Sequence, residues 1–143
     1  MTAKGAYCLL IRLRRPQTIA VGRLGVFRFP RGYYAYCGSA LGGLRPRLRR
    51  HLRKDKPLHW HVDYLLASPQ AELVETAVFP TGERLECEIA RLMLRRPGAA
   101  VVVRGFGSSD CRQGCPAHLV HFRRRPELPT AEELNGVARW IPQ

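Results

Sequence analysis

The amino-acid sequence predicts one α+β domain in which a small mixed or antiparallel β-sheet is flanked by helices. The chain has 143 residues, which suits one domain, and 45% of them are hydrophobic, which suits a packed core. Apolar residues alternate with a period of two in some segments and recur at helical spacing in others, so strands and helices are mixed. The predicted domain spans residues 1–143, with a core at about 5–122 and a tail helix at about 130–141.

The first 40 residues contain four strand-like segments, at 6–13, 18–21, 24–29 and 33–37. In the first segment, alternation places Tyr7 on one face together with Leu9, Ile11 and Leu13. Tyr34 and Tyr36 share a face of the fourth segment, which Gly38 ends. The second and third segments predict an additional hairpin at the edge of the sheet.

A first helix is predicted over residues 44–54. Its buried stripe consists of leucines at i, i+4 and i+8, namely Leu44, Leu48 and Leu52. Arg47 and His51 stand one turn apart at the border of this stripe. Both polar side chains are therefore expected at the edge of the packed face.

The rest of the chain alternates between the two kinds of element. Helices are predicted over 59–66 and 83–95, and strands over 72–79, 99–103 and 117–122. The inward stripe of the second of these helices consists of Leu85, Ile89, Leu92 and Met93. Thr130 and Glu133 make a capping box for a tail helix that runs through Trp140.

A strong excess of positive charge predicts a polyanionic partner. Lysine and arginine total 24 against 11 acidic residues, which gives a formal net charge of +13. Arginine predominates, and its planar guanidinium suits bidentate contacts with phosphate. Nucleic acid is favoured over an anionic membrane, because no amphipathic helix with an aromatic face accompanies the charge.

The cysteines and the apolar segments predict a location. No secretory signal precedes the first strand, and no apolar stretch approaches the roughly 20 residues of a membrane span. We therefore expect a cytoplasmic protein without a membrane span. Its thiols are expected to be reduced or metal-bound; they belong to Cys8, Cys37, Cys87, Cys111 and Cys115.

Side chains suited to phosphodiester hydrolysis occur on several predicted elements. This reaction needs a base for water, a cation for the developing charge and a metal held by a carboxylate. The candidates on strands are Tyr7, Tyr34 and Tyr36. Arg47 lies on the first helix, and a later helix carries Glu83, Glu86 and Glu88, of which Glu86 and Glu88 border its apolar stripe. Helical periodicity does not choose between the two glutamates, and tyrosines in strands are also common in cores.

Two tripeptides resemble the signature motifs of the GIY-YIG nucleases, each with a changed middle residue: Gly5-Ala6-Tyr7 and Tyr36-Cys37-Gly38. The following Gly38-Ser39-Ala40 and the helix with Arg47 are similar to the family's strand, glycine and arginine-bearing helix. Trp60 to Leu65, Glu86-Cys87 and Gly105 to Cys111 resemble a narrower branch, catalogued as domain of unknown function 123. The resemblance covers residues 5 to about 122, although the stretch between the tripeptides is longer than in most members.

The resemblance implies a role for each matched residue. Tyr7 would deprotonate or orient the attacking water, and Tyr36 would bind the phosphate or polarise that water. Arg47 would stabilise the charge of the transition state. Glu86 would hold Mg²⁺ or Mn²⁺, because the family places an aliphatic residue three positions later, where Ile89 stands.

Contacts with nucleic acid are predicted around the glycine and on the first helix, at Gly38, Ser39, Arg45, Arg49, Arg50 and His51. Gly38 would let the backbone turn tightly beside the site, because it has no Cβ. For the arginines, a solvated basic face is the alternative. His61, near His59, is predicted to line the cleft, with ordinary structural hydrogen bonds as the alternative.

The loop before the last strand contains candidate zinc ligands. Cys111, Cys115 and His118 have a spacing that suits three ligands, and Cys87 could supply the fourth. Reduced cysteines in a tight loop are the alternative.

The predicted function is that of a metal-dependent endonuclease acting on nucleic acid, DNA in preference to RNA, in the context of repair. The first alternative is a non-catalytic basic module that binds nucleic acid as an accessory to a repair enzyme. A zinc-stabilised protein-interaction domain is the second alternative.

Overall fold

Six strands in the described residues form two antiparallel sheets. The structure, a computed structural model, describes residues 3–108 and 111–138, with side chains as far as Leu134. The strands are β1 (Gly5–Leu13), β2 (Gln17–Val21), β3 (Gly25–Phe29), β4 (Gly32–Ala40), β5 (Ala71–Pro80) and β6 (Leu119–Phe122). One sheet has the order β5-β1-β4-β6, and the other is the β2-β3 ribbon. Together with the helices, these sheets confirm the predicted α+β class.

The described residues also form four helices: α1 (Leu44–Leu52), α2 (His61–Leu66), α3 (Glu86–Leu94) and α4 (Ala131–Ala138). The helices predicted over 44–54, 59–66 and 83–95 are therefore present but shorter. Within the described ranges, none of the helices combines the length and the apolarity needed to traverse a lipid bilayer.

Strand β1 lies between β4 and β5, and its side chains on both faces are apolar and buried except at Arg12, because other elements cover each face of the sheet. One face packs against α1, α2 and the ribbon, and it carries Tyr7, Leu9, Ile11 and Leu13 beside Tyr34 and Tyr36. The other face packs against α3 and carries Ala6, Cys8 and Leu10. The predicted faces of β1 and β4 are confirmed.

The β2-β3 hairpin packs on the first of these faces, so its predicted place at the sheet edge is wrong. In the described residues its two strands pair only with each other. Val21 and Phe29 are fully buried in the core on the Tyr7 face of β1. Alternate residues of both strands are apolar, and laying that apolar side on the sheet removes it from water, which pairing along an edge would not do.

Near its end, helix α1 buries His51 and exposes Leu52, although Leu52 was the residue predicted to be buried. Leu44 is buried, but Leu52 is 65% exposed, so the predicted leucine stripe is wrong at its last position. His51, by contrast, is only 2% exposed. The helix ends at Leu52, and Lys56 donates hydrogen bonds to the carbonyl oxygens of Arg50 and His51 at that end. A cation suits this position because the last carbonyls of a helix lack internal partners.

The predicted strand over 99–103 is wrong. Ala100 makes an isolated bridge with His121, and the chain then turns away through glycines with positive φ at Gly105 and Gly107. Val103 is still buried in the core. Consecutive β-branched residues pack well wherever they are buried, so they do not by themselves specify a strand. Here the chain turns away after a single bridge, and strand pairing does not continue.

The capping box of the tail helix is confirmed. The Glu133 N–H donates to Thr130 Oγ1 at 3.2 Å, and the Thr130 N–H donates to Glu133 Oε1 at 3.0 Å. Arg96 also pairs with Glu133, which ties α4 to the end of α3. The predicted end of this helix at Trp140 lies outside the described residues.

Candidate active site

An open cleft of about 750 Å³ lies where β1, β4 and α1 meet the starts of α2 and α3. Its sheet-side wall contains Tyr7, Tyr36, Gly38, Ser39 and Arg47. Its cluster-side wall contains Glu86, Cys87, Gly107, Cys111 and His118. His61 also lines the cleft, so the five predicted catalytic side chains border one cavity.

Gly38 makes room for the phenol of Tyr7. The two residues are paired directly across β1 and β4. A Cβ at position 38 would lie 2.6 Å from Tyr7 Oη, which is far inside van der Waals contact. The glycine of the second tripeptide therefore acts by leaving space for the tyrosine of the first. The backbone turn that was expected at Gly38 is wrong, because this residue is paired within β4, which continues to Ala40, and has no positive φ.

Tyr7 is hydrogen-bonded to a buried histidine. Its Oη lies 2.9 Å from His51 Nε2, and the two rings are 5.4 Å apart. Burial raises the pKa of Tyr7 to about 12, although the neighbouring Arg47 opposes this effect. Burial, assisted by Lys56, lowers the pKa of His51 to about 4. The pair is therefore a neutral phenol beside a neutral imidazole at pH 7.

This position of His51 corrects the predicted contact with nucleic acid. The imidazole lies beneath Tyr7 and cannot reach a ligand at the surface, since only 2% of the residue is exposed. His51 Nδ1 is buried and has no hydrogen-bond partner among the described residues. In the sequence, the spacing of Arg47 and His51, one turn apart beside the buried stripe, indicated only that both lie near the packed face of the helix.

Tyr36 lies next to Tyr7 in the same wall. It is 8% exposed, and its ring centroid is 6.4 Å from that of Tyr7. Burial raises the pKa of Tyr36 far above that of free tyrosine. Tyr36 is thus a hydroxyl that can donate a hydrogen bond into the cleft and is not a source of phenolate.

Arg47 is held in a fixed orientation. Its Nη1 donates to the carbonyl oxygen of Ser39 at 3.1 Å, and its guanidinium carbon lies 4.3 Å from the centre of the Trp60 ring. A cation over an indole face is an attractive arrangement. These contacts place a permanent positive charge beside Tyr7 at the floor of the cleft.

Arg50, which was predicted to contact nucleic acid, binds a buried carboxylate, and its side chain remains 24% exposed. Its two terminal nitrogens donate to the two oxygens of Asp63, each at 2.9 Å. Asp63 is fully buried, and its Oδ2 also accepts the N–H groups of His59 and Trp60. Burial by itself would raise the pKa of Asp63, but the hydrogen bonds from Arg50 and the backbone hold it below its usual value. The pair fixes Trp60, which also contacts the Arg50 guanidinium.

The structure separates the two candidate glutamates. Glu86, the first residue of α3, is half-buried and lines the cleft. Glu88 does not line it, and its Oε2 is buried without a partner among the described residues. Across the cleft, His61 Nδ1 accepts the Gly107 N–H at 2.8 Å. Neutral His61 therefore carries its ring proton on Nε2.

Two arginines of the cleft were missed in the sequence. Arg84 and Arg112 are exposed and line it, each within a few residues of the cluster-side wall. Both lie in irregular segments, where no periodicity marks a face. Arg45 and Arg49 are exposed on α1 and do not line the cleft.

The predicted cysteine–histidine ligands form a cluster that could hold a metal ion. The ligand atoms of Cys87, Cys111, Cys115 and His118 all lie within 4.8 Å of one another. Cys87 Sγ is 3.5 Å from both Cys111 Sγ and His118 Nε2. All five cysteines of the chain are free thiols. Burial opposes ionisation of Cys111, but backbone N–H groups of Cys115 and Gln113 lower its pKa to about 7.

Comparison with known proteins identifies a family and no individual relative. No curated protein matches the chain significantly. No solved structure does so either. The family model described as Domain of unknown function DUF123 matches residues 6–138, and the chain therefore belongs to that family.

Proposed function

We propose that this protein is a metal-dependent endonuclease of the GIY-YIG type that hydrolyses phosphodiester bonds in nucleic acid. The observation that carries the proposal is the convergence of Tyr7, Arg47 and Glu86 on one cleft, although they lie far apart in the sequence. A base, a cation and a carboxylate are the groups that this hydrolysis requires.

The hydrogen bond between Tyr7 and His51 supports a route for the proton. A phenol with a pKa of about 12 supplies almost no phenolate at neutral pH. In the proposed step, water attacks phosphorus and gives its proton to Tyr7 Oη, while the phenolic proton passes to His51 Nε2. The P–O bond to the leaving oxygen then breaks, that oxygen takes a proton from a water molecule of the open cleft, and His51 returns its proton to Tyr7 as Tyr7 releases one to solvent. The relay avoids a free phenolate. Neutral His51 can accept the proton, but its pKa of about 4 makes it a weak base, so the transfer has to be concerted with the attack on phosphorus.

Arg47 and Tyr36 would act on the phosphate. Arg47 is already oriented by Ser39 and Trp60, so little reorganisation is needed when negative charge develops. Tyr36 would donate its hydroxyl proton to a non-bridging oxygen.

Glu86 is the residue that would hold the hydrolytic cation. It is the carboxylate among the described lining residues, and hard oxygen ligands suit Mg²⁺ or Mn²⁺. One carboxylate is sufficient in principle, since Mg²⁺ is commonly held by one or two carboxylates together with substrate phosphates. Such an ion would neutralise charge on the scissile phosphate.

The charge of the protein supports a polyanionic substrate. The net charge is +13, and Arg84 and Arg112 add positive charge at the cleft itself. Exposed arginines on α1, Arg45 and Arg49, would contact the backbone beyond the cleft. We favour DNA, in repair and in a cytoplasmic setting; a non-catalytic accessory module for a repair protein is the alternative, supported by the same charge.

We propose Zn²⁺ as the ion of the cysteine–histidine cluster. Three thiols and an imidazole are the ligands of a four-coordinate structural zinc site. Tetrahedral ligands at about 2.3 Å from zinc lie about 3.8 Å from one another. Cys87 Sγ is 3.5 Å from Cys111 Sγ and from His118 Nε2, and all four ligand atoms lie within 4.8 Å of one another.

Cleavage assays on linear and branched DNA and RNA with Mg²⁺ or Mn²⁺ test the nuclease proposal. The wild-type protein should cut at least one substrate, and Glu86→Gln should bind that substrate without cutting it. Glu83→Gln is the matched control, because Glu83 is exposed and does not line the cleft. Binding without cleavage by the wild-type protein on every substrate would favour the accessory module instead.

A further inference from the structure

The cluster-side wall depends on few contacts other than the cysteine–histidine cluster. The described residues between Phe106 and Leu119 contain no helix or strand. His118 is well anchored, since its N–H donates to the Phe106 carbonyl and its carbonyl accepts the Cys37 N–H. Cys111 is held more weakly, by a backbone hydrogen bond to Ser108. Apart from its thiols, the middle of this segment is attached by a hydrogen bond that Arg91 of α3 donates to Gln113 Oε1 at 3.3 Å, and by one that the Gly105 N–H donates to the Pro116 carbonyl at 2.8 Å.

The four ligands join two separate parts of the chain. Cys87 lies in the first turn of α3, and Cys111, Cys115 and His118 lie in the segment that leads to β6. Helix α3 begins at Glu86, without a side-chain hydrogen bond at its N-cap. A metal ion bound here would connect the start of this helix to the segment and, through His118, to β4.

The residues next to the ligands are residues of the cleft. Glu86 precedes the ligand Cys87, and Arg112 follows the ligand Cys111. The Gly107 N–H donates to His61. Gly107 is also packed closely between the two walls, since a Cβ at this position would lie 3.0 Å from the Tyr36 ring and 3.3 Å from His118 Cβ. Any displacement of the cluster would therefore move Glu86 and Gly107 relative to the sheet-side wall.

We infer that the metal ion in the Cys87–Cys111–Cys115–His118 cluster is a structural clasp that assembles the cluster-side wall and so positions Glu86. With four protein ligands the site has no open coordination position, which is typical of structural and not of catalytic zinc. The inference rests on the zinc site proposed above, and it does not require hydrolysis. Glu86 is the residue that the clasp positions, and the cluster residues act through it.

Cys115→Ser removes one metal ligand without changing a residue of the cleft, because Cys115 does not line the cavity. Wild-type protein purified without added metal should contain about one zinc per chain, and the variant much less. Hydrogen exchange in residues 86–94 and 105–118 should quicken by at least about tenfold in the variant, whereas β1 and β4 should keep their protection. Cys8→Ala is the matched control: it removes a buried thiol outside the cluster, and its zinc content should match that of the wild type.

Chelation of the wild-type protein gives a second measurement in case the variant does not fold. A zinc-selective chelator should reproduce the same local loss of protection, and adding Zn²⁺ should reverse it. Co²⁺ in place of zinc should give the intense visible absorption of a tetrahedral thiolate site. Unchanged exchange around Glu86 after complete zinc removal would overturn the clasp, and so would wild-type protein that contains no zinc. If zinc removal unfolded the whole sheet, the metal would stabilise the entire fold, and its proposed role in the cluster-side wall alone would be wrong.

These measurements do not involve cleavage, so the two proposals can fail separately. A zinc-loaded protein with the expected exchange pattern that cuts no substrate would reject the nuclease alone. A zinc-free protein that cuts nucleic acid would reject the clasp alone.

Discussion

The two walls of the cleft are built in different ways. The sheet-side wall is part of a four-stranded sheet with apolar residues on both faces, and its side chains are fixed by backbone pairing, a glycine and packed rings. The cluster-side wall consists of a helix start and an irregular segment, with three thiols and an imidazole between them. We expect the fold by itself to orient Tyr7 and Arg47, whereas the position of Glu86 would depend on the proposed metal site.

The largest expected effect on stability comes from Asp63, which supports the sheet-side wall. Asp63→Asn leaves Arg50 with an uncompensated charge and should destabilise the protein by about 3–5 kcal/mol. Urea unfolding measures this loss, which should be the same with and without zinc. Asp55→Asn is the control, because Asp55 is exposed and should change stability by less than about 0.5 kcal/mol. A loss that disappears when zinc is removed would contradict the proposed difference between the walls.

His51 should make stability depend on pH. Its pKa is about 4 in the folded protein, below the ordinary 6.5, so the unfolded chain binds more protons between these values. The stability that depends on neutral His51 is present above pH 6.5 and is lost as the pH falls towards 4. The amount is about 3 kcal/mol, since each unit corresponds to about 1.4 kcal/mol.

Unfolding free energies of the wild type and His51→Gln at several pH values test this prediction. The difference between the two proteins should change by that amount across the window. His59→Gln should keep the wild-type profile, because His59 is exposed. Parallel curves for the wild type and His51→Gln would show that the imidazole is not buried as a neutral group.

Gly38→Ala tests the fit of the sheet-side wall itself. The new methyl group would displace the Tyr7 phenol from its place beside His51. We expect a loss of about 1–3 kcal/mol in thermal or urea unfolding, as is typical of overpacked sites. Gly42→Ala should be nearly neutral, because no atom lies within 4 Å of a Cβ at that position. Equal effects of the two substitutions would contradict the role of Gly38.

The smallest expected effect on folding is at the rim of the cluster-side wall. Arg84→Ala should leave stability unchanged and weaken binding to nucleic acid at low salt. If Arg84 contacts one phosphate of duplex DNA, the slope of log affinity against log salt should fall by about 0.9. Arg15→Ala should keep the full slope, since Arg15 is exposed and does not line the cleft.

The difference between the walls also explains what could be predicted from the sequence. Period-two alternation predicted the faces of β1 and β4, and therefore the positions of Tyr7 and Tyr36, because side-chain direction in a paired strand is fixed locally. The stripe of α1 was wrong at Leu52 and hid the burial of His51. A polar residue is buried there because of a hydrogen bond to a distant strand, and periodicity carries no information on such a partner.

The cluster-side wall could be predicted only as a set of ligands. Spacing indicated Cys111, Cys115 and His118, and Cys87 was added because it lies off the apolar stripe of its helix. The segments next to these ligands follow no period, so Arg84 and Arg112 could not be assigned to the cleft. The strand predicted over 99–103 was wrong for the same reason. The turns at Gly105 and Gly107, and not the β-branched residues, determine the path of the chain there.

The most direct test of the proposed chemistry is the single-turnover cleavage rate of Tyr7→Phe with Mg²⁺, measured together with its affinity for the same substrate. The substitution removes one oxygen atom and keeps the ring that packs in the core. A proton relay through Tyr7 and His51 predicts that the rate falls by about 10²–10⁴-fold while the affinity stays nearly constant. Cleavage by Tyr7→Phe at the wild-type rate would contradict the account.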